Sequence, residues 1–304
     1  MAIGQNREKM RKTDKKVAFY IIAFLAVLDI VAFYIFLDFE ERKFLEVNFF
    51  DVGQGDAVFI ETPRGYQILI DGGPNSTIIK KLAGEMPFWD RTIDLVVLTH
   101  PEKDHLTGLI EVLKRYRVKN VLWTGVIRDN QEFKEWQSAA RKEGAKTIIA
   151  VSGEKIRGSD FLMKVLFPQE NLKGREADKT SNDTSVVSRL VFGKTTFLFT
   201  GDISKKAETL ILGAKEDIDS NVLKIAHHGS KYSSGENFIK AVSPEIAVIS
   251  AGKNRYGHPH PEVLSILKKY DIKVLKTLTS GDIKIISDGK ELKITTSCKV
   301  SPNY

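Results

Sequence analysis

The chain opens on a stretch whose apolar residues are continuous rather than periodic. From Val17 to Leu37, 21 residues are interrupted by one charge, Asp29, and 14 of them are Leu, Ile, Val or Phe. A helix needs about 20 such residues to cross a bilayer core of about 30 Å. Fourteen favourable side chains at about −0.3 to −0.6 kcal/mol each outweigh one central Asp at about +2.5 to +3.5 kcal/mol. The run continues through Phe36, Leu37 and Phe39 without a small-residue cleavage site, so it reads as a retained anchor rather than a signal peptide.

From Leu45 the pattern shortens. VNFFDV, AVFIET and YQILIDGG read as strands, the second and third joined by a turn at Pro63–Gly65, and IDLVVLTH, VKNVLWTG, KTIIAV, VLKIA, EIAVIS and IKVLK read as further strands. Helical stretches fall over 78–84, 106–116, 131–142, 204–212, 234–241 and 261–270. VVSRLVFGKTTFLFTGD predicts a strand pair, and IKIISDGKELKIT a closing hairpin with Asp288-Gly289 in the turn. Residues 171–185 form a long polar loop. No fixed-period repeat or interior linker breaks the chain. The expected organisation is a tail over 1–16, an anchor over 17–37, a link over 38–44, one domain over 45–297 and a tail over 298–304. Stacked layers of helix, sheet, sheet and helix would bury such strands, giving an α+β sandwich behind one transmembrane helix.

Charge changes the picture of location more than that of chemistry. Lys and Arg number 46 against 39 Asp and Glu, a formal +7. Six basic and two acidic residues fall within positions 1–16, so +4 of that total lies beside the anchor. The positive-inside rule places this tail in the cytoplasm and the domain outside, as a single-pass protein of the cell membrane. The single cysteine, Cys298, excludes an intramolecular disulfide framework and a multi-thiolate metal site. Metal chemistry here must use imidazoles and carboxylates.

All six histidines fall in three clusters, each after a predicted strand: THPEKDH (His100, His105), AHHGS (His227, His228) and YGHPHPE (His258, His260). HPEKDH brings His100, Glu102, Asp104 and His105 within six residues. Asp202 in FLFTGD is placed to bridge two cations, with His227 or His228 completing the second site. Imidazole and carboxylate ligands without thiolate suit zinc, manganese or iron. Two such ions about 3.5–4 Å apart activate water and clamp a displacement, which points to metal-assisted hydrolysis.

At these residues the sequence resembles the metallo-β-lactamase superfamily, whose signature is H-x-H-x-D-H. Within it, FFDVGQGDAVFIET, ILIDGG, NDTSVV, LKIAHHGS and AVISAGKNRYGHPHPEVL resemble the hydrolase domain of ComEC-type competence proteins, over residues 45–297. The resemblance implies a four-layer αββα fold and cleavage of DNA phosphodiesters outside the membrane. It implies a metal shell of His100, Glu102, Asp104, His105, Asp202 and His227, with His228 as a neighbour, holding two divalent ions, zinc or manganese. Two departures stand out. Glu102 replaces the second His of the signature, and no His lies between His105 and His227, which leaves Asn182 or Asp183 as an oxygen substitute and makes the first site uncertain.

Asp104 and His258 are the candidate catalytic residues, His258 as a general acid or a phosphate contact, while His260 directly precedes a helix. Asp51, Gln54 and Asp56 in DVGQGD line either the site or a turn, and Asp71 reads as a structural strand-end residue. Ser230, Lys231, Lys253, Asn254 and Arg255 flank the clusters as candidate contacts to a phosphate backbone. The leading expectation is an anchored metal-dependent nuclease acting on DNA, working beside a separate channel protein or alone. The alternatives are hydrolysis of a small phosphoester or cell-envelope substrate, and a DNA-binding module whose metal site has decayed.

Overall fold

The computed structural model describes residues 2–41, 44–177 and 181–298, and side chains at 15–34, 44–177 and 181–298. Parts of the expected link (42–43), the polar loop (178–180) and the C-terminal tail (299–304) lie outside the described residues. The chain divides into two compact units, Met1–Lys43 and Phe44–Tyr304. The first holds one helix, α1 (Ala2–Glu41), whose segment Lys15–Tyr34 is long and apolar enough to cross a membrane and exposes every side chain. Single-pass attachment is supported by that segment.

The second unit runs β1 (Leu45–Phe49), β2 (Val58–Glu61), β3 (Gln67–Ile70), α2 (Thr77–Glu85), β4 (Thr92–Val97), α3 (Lys103–Arg115), β5 (Arg117–Trp123), α4 (Gln131–Glu143) and β6 (Lys146–Ile149). It continues through β7 (Lys155–Arg157), β8 (Leu162–Phe167), β9 (Val187–Phe192), β10 (Thr195–Phe199), α5 (Lys205–Gly213), β11 (Val222–Lys224) and α6 (Glu236–Val242). It ends with β12 (Ile246–Ile249), α7 (Pro261–Lys269), β13 (Lys273–Lys276), α8 (Thr277–Ser280), β14 (Ile283–Ser287) and β15 (Leu292–Thr296). One sheet has the order β15-β14-β1-β2-β3-β4-β5-β6 and the other β13-β12-β11-β10-β9-β8-β7. Strands β3 to β6 are mutually parallel, as are β10 to β13.

Alternation along the strands builds the layers. Ile68 and Ile70 of β3 and Phe197 and Phe199 of β10 enter one core with Val47, Phe49 and Val248, between the sheets. The intervening Leu69 points instead into a core with Leu82, Leu109 and Trp136 of α2, α3 and α4. Leu198 does the same against Ala207, Phe238 and Leu267 of α5, α6 and α7. The central parallel strands β3 and β10 are therefore apolar on both faces, as the continuous runs in the sequence require. The helix–sheet–sheet–helix sandwich expected from the sequence is the observed architecture.

Some elements differ from the reading by pattern. Strands β7 and β8 and helix α8 were not anticipated, because Lys164 interrupts the apolar run of β8 and β7 has only three residues. Helix α3 begins at Lys103 rather than Leu106, since its first turn is made of the polar residues Lys103 and Asp104. That shift puts both Asp104 and His105 on the helix.

Candidate metal centre

The site forms at the C-terminal ends of parallel strands, where open α/β sheets place their ligands. Asp71 follows β3, Thr99 and His100 follow β4, and the first turn of α3 supplies Asp104 and His105. Asp202 follows β10, and a short turn after β11, Ala226–Gly229, supplies His227 and His228. Helix α3 docks tightly on the loop after β3. Gly72 N donates to the His105 carbonyl at 2.8 Å and Gly108 N to the Gly73 carbonyl at 3.0 Å. A Cβ on Gly108 would lie 1.8 Å from the Gly72 carbonyl oxygen, so only glycine permits this approach.

Asp71 fixes two imidazoles. Its Oδ1 accepts from Thr99 N at 2.8 Å, and its Oδ2 accepts from Thr99 Oγ1 at 2.6 Å and from His105 Nδ1 at 2.8 Å. Thr99 spends its only hydroxyl proton on Asp71, so its oxygen accepts from His100 Nδ1 at 3.0 Å. His228 Nδ1 donates to the Ser250 carbonyl at 2.8 Å. The network thus assigns the Nδ1 proton in all three rings and turns each Nε2 towards the site, the arrangement in which histidines bind metals.

Two of those Nε2 atoms face carboxylates. His105 Nε2 lies 3.3 Å from Asp202 Oδ2 and 3.9 Å from Asp104 Oδ1. His228 Nε2 lies 3.2 Å from Asp104 Oδ2 and 3.4 Å from Asp202 Oδ2. His100 Nε2, His105 Nε2 and Asp202 Oδ1 are buried without a hydrogen-bond partner. Such atoms need a cation between them, a proton or a metal ion. Burial opposes charging His105 and His228, yet Asp202 and the neighbouring carboxylates outweigh it, raising His105 well above its ordinary value and His228 to about 10. Burial also disfavours the Asp202 carboxylate, but His228, His105 and Lys224 hold its pKa well below the usual range. Burial, with the charge of His105, keeps His100 neutral with a pKa of about 3.

Two candidate metal-binding clusters result, their ligand atoms within 4.8 Å of one another: Asp104, His105, Asp202 and His228, and Asp56, Asp71 and His105. They share His105, which is compatible with a binuclear site. The first holds the unpartnered His105 Nε2 and Asp202 Oδ1, and its imidazole and carboxylate donors fit a divalent transition ion. In the second, Asp56 is ion-paired with the buried Lys224. Lys224 Nζ also donates to the Gly201 carbonyl at 2.9 Å and lies 3.5 Å from Asp202 Oδ1. Burial opposes its charge, but Asp56 and Asp202 outweigh that penalty and raise its pKa.

The family model described as the metallo-beta-lactamase superfamily matches residues 50–253. The chain belongs to the metallo-beta-lactamase superfamily. With the Asp and His clusters, membership makes it a metal-dependent hydrolase. ComE operon protein 3 of Bacillus subtilis (strain 168) is 34% identical over 259 residues, covering 79% of this chain and 32% of that protein. Competence protein ComA of Neisseria gonorrhoeae is 33% identical over 244 residues, covering 78% of this chain and 32% of that one. The chain thus spans about one third of the length of these relatives. Among solved structures, the metallo-beta-lactamase fold protein YhfI from Bacillus subtilis superposes with a TM-score of 0.52 at 13% identity, over 79% of this chain and 99% of that one. That likeness concerns the fold.

Within this superfamily scaffold, several expected site residues take other places. His228 rather than His227 joins Asp104, His105 and Asp202, because the turn points the buried ring of His228 inward and leaves His227 half-buried beside Asn182, at 3.3 Å from its Nδ2. Both histidines have left-handed backbone, φ 50° and 55°, a strain of the order of 1–3 kcal/mol each that concentrates at functional sites. Glu102 belongs to neither cluster, since its Oε1 accepts from Ser181 N at 2.9 Å, from Ser181 Oγ at 2.8 Å and from Arg128 Nη1. Asp183 belongs to neither cluster either: it accepts from Ser204 N and Oγ at the start of α5.

The rim is made of the loops after β1, β11 and β12. The His258 ring lies 5.5 Å from that of His227, its Nδ1 is buried without a partner, and burial with the charges of His227 and His228 brings its pKa to about 4. Asn254 braces this loop, donating to the Gly252 and His258 carbonyls and accepting from His258 N at 3.0 Å. Ser230 is buried in the turn after His228, whereas Lys231, Lys253 and Arg255 are exposed. Gln54 accepts from Gly252 N at 3.3 Å, and Asp51 accepts from Gly53 N within its own turn. Sequence reasoning missed Lys224, Arg128 and Ser181 and read Asp71 as structural. A lone lysine inside the apolar run VLKIA was the available signal for Lys224.

Proposed function

We propose that this chain is a membrane-anchored phosphodiesterase acting on DNA, with the domain on the side of the membrane opposite the basic N-terminal tail. One observation carries the metal-dependent part: two imidazoles, His105 and His228, each fixed through Nδ1, present Nε2 towards Asp104 and Asp202. Asp104, His105, Asp202 and His228 would hold a zinc or manganese ion, with His100 beside them. Such an ion supplies Lewis acidity that polarises a phosphoryl oxygen and makes water a better nucleophile. Asp71 and Thr99 keep the rings of His105 and His100 in register, and Lys224 neutralises Asp56 behind them. His258, neutral above about pH 4, offers the rim a hydrogen-bonding nitrogen.

The DNA part is supported by the competence proteins among the relatives and by the exposed cations Lys231, Lys253 and Arg255 beside the cluster. A channel protein is the partner we propose, on the likeness to the competence proteins. The test is cleavage of single- and double-stranded DNA by the full chain in detergent, with Mn²⁺ or Zn²⁺ supplied. Cleavage should require the ion and disappear in Asp104→Ala. A metal-loaded protein that leaves both DNAs intact would refute the reading.

A further inference from the structure

In the superfamily signature, the position two residues before Asp104 carries a metal-binding histidine, and here it carries Glu102. The structure shows what this glutamate does. Its Oε1 collects three donors, from Ser181 N, Ser181 Oγ and Arg128 Nη1. Arg128 follows β5, again at the C-terminal end of a parallel strand, and its neighbour Ile127 is pinned by backbone bonds to Arg175 and Ala177. Its side chain is 23% exposed, as is that of Glu102. Nη1 is spent on Glu102 and Ser181, while Nε and Nη2 carry no partner among the described residues.

The geometry points to an anion-binding subsite at this half of the motif: Arg128, steadied by Glu102 and Ser181, binds a non-bridging phosphate oxygen of the substrate, and Glu102 orients the guanidinium instead of holding a metal ion. Glu102 is turned away from ligation because its Oε1 already accepts three donors, one of them from a fixed cation, and it joins neither ligand cluster. A guanidinium suits phosphate because it presents parallel N–H donors to two oxygens and stays charged at any working pH. Glu102 is then a positioning residue. The inference rests on the phosphodiester reading for its substrate, but not for its test.

Two measurements on the full chain in detergent decide it. The first is bound metal per chain after desalting, in wild type, in the double variant Glu102→Gln/Arg128→Met and in Asp202→Asn. Removing both partners together leaves no uncompensated charge behind. The double variant should keep the wild-type metal content while Asp202→Asn loses it. A loss in the double variant would overturn the assignment of Glu102. The second is the affinity of the Mn²⁺-loaded protein for inorganic phosphate. It should fall by roughly ten- to a hundredfold in the double variant and by less in Arg128→Lys, which folds with its charge in place but lacks the planar fork. Unchanged phosphate affinity in both variants would show that Arg128 is only structural. Failure of DNA cleavage with these two results intact would sink the nuclease proposal alone.

Discussion

The floor and the rim of the site are built on opposite principles. On the floor, Asp56, Asp71, Asp104 and Asp202 face one ammonium, Lys224, and three of these carboxylates are buried with it. So much negative charge out of water persists only where imidazoles or a bound cation balance it. On the rim, charges are exposed and polar side chains are spent on the loops themselves: Asn254 on its own turn, Asp183 on α5 and His260 on α7. The floor is thus a charge-compensated cage whose chemistry depends on partners several strands away. The rim is a set of turns braced mostly by their own backbone, tied to the floor where His260 N donates to the Gly229 carbonyl at 2.8 Å.

Lys224→Met should break the floor hardest. It leaves Asp56 without its cation in a buried setting, for which about 3–5 kcal/mol is the usual cost. The denaturation midpoint of metal-free protein should drop accordingly, and saturating Mn²⁺ should recover part of the loss because an added cation binds the folded state. A midpoint unchanged without metal would mean that the floor is not balanced as described. Asp71→Asn tests the next layer. Asn tolerates the left-handed backbone at φ 58° and keeps the volume, so the change is confined to the acceptors of Thr99 and His105. Metal affinity should weaken by about 10- to 100-fold, read by competition with a chelator, with the fold intact. Equal affinity would reduce Asp71 to a strand-end residue.

The same contrast explains what the sequence could reveal. The layers were legible because alternation such as Ile68–Leu69–Ile70 assigns each strand two buried faces. The floor was legible where candidate ligands are local: Asp104 and His105 sit in the first turn of one helix, just after a strand. It was not legible where identity depends on backbone direction, since His227 and His228 are adjacent and only their left-handed turn decides which ring enters. Nor could spacing reveal that Arg128 and Ser181 would converge on Glu102 from two other loops. Ser230 and Asn254 were expected to meet a phosphate backbone, yet short polar residues in tight turns often satisfy their own backbone first.

The smallest effect should come from the rim, at the second His of HPH. His260 caps α7, its Nδ1 accepting from Glu262 N at 3.3 Å, and Pro261 already fixes the first helical residue. His260→Ala should therefore cost at most about 1 kcal/mol of stability, and His260→Ser should restore it, because serine caps equally well. Metal content and DNA cleavage should be untouched by either change. His258→Ala, two residues earlier but facing His227, should leave stability alone and lower cleavage. Parallel losses of cleavage at both positions would show that the rim turns act as one unit with the floor, and the division between them would fall.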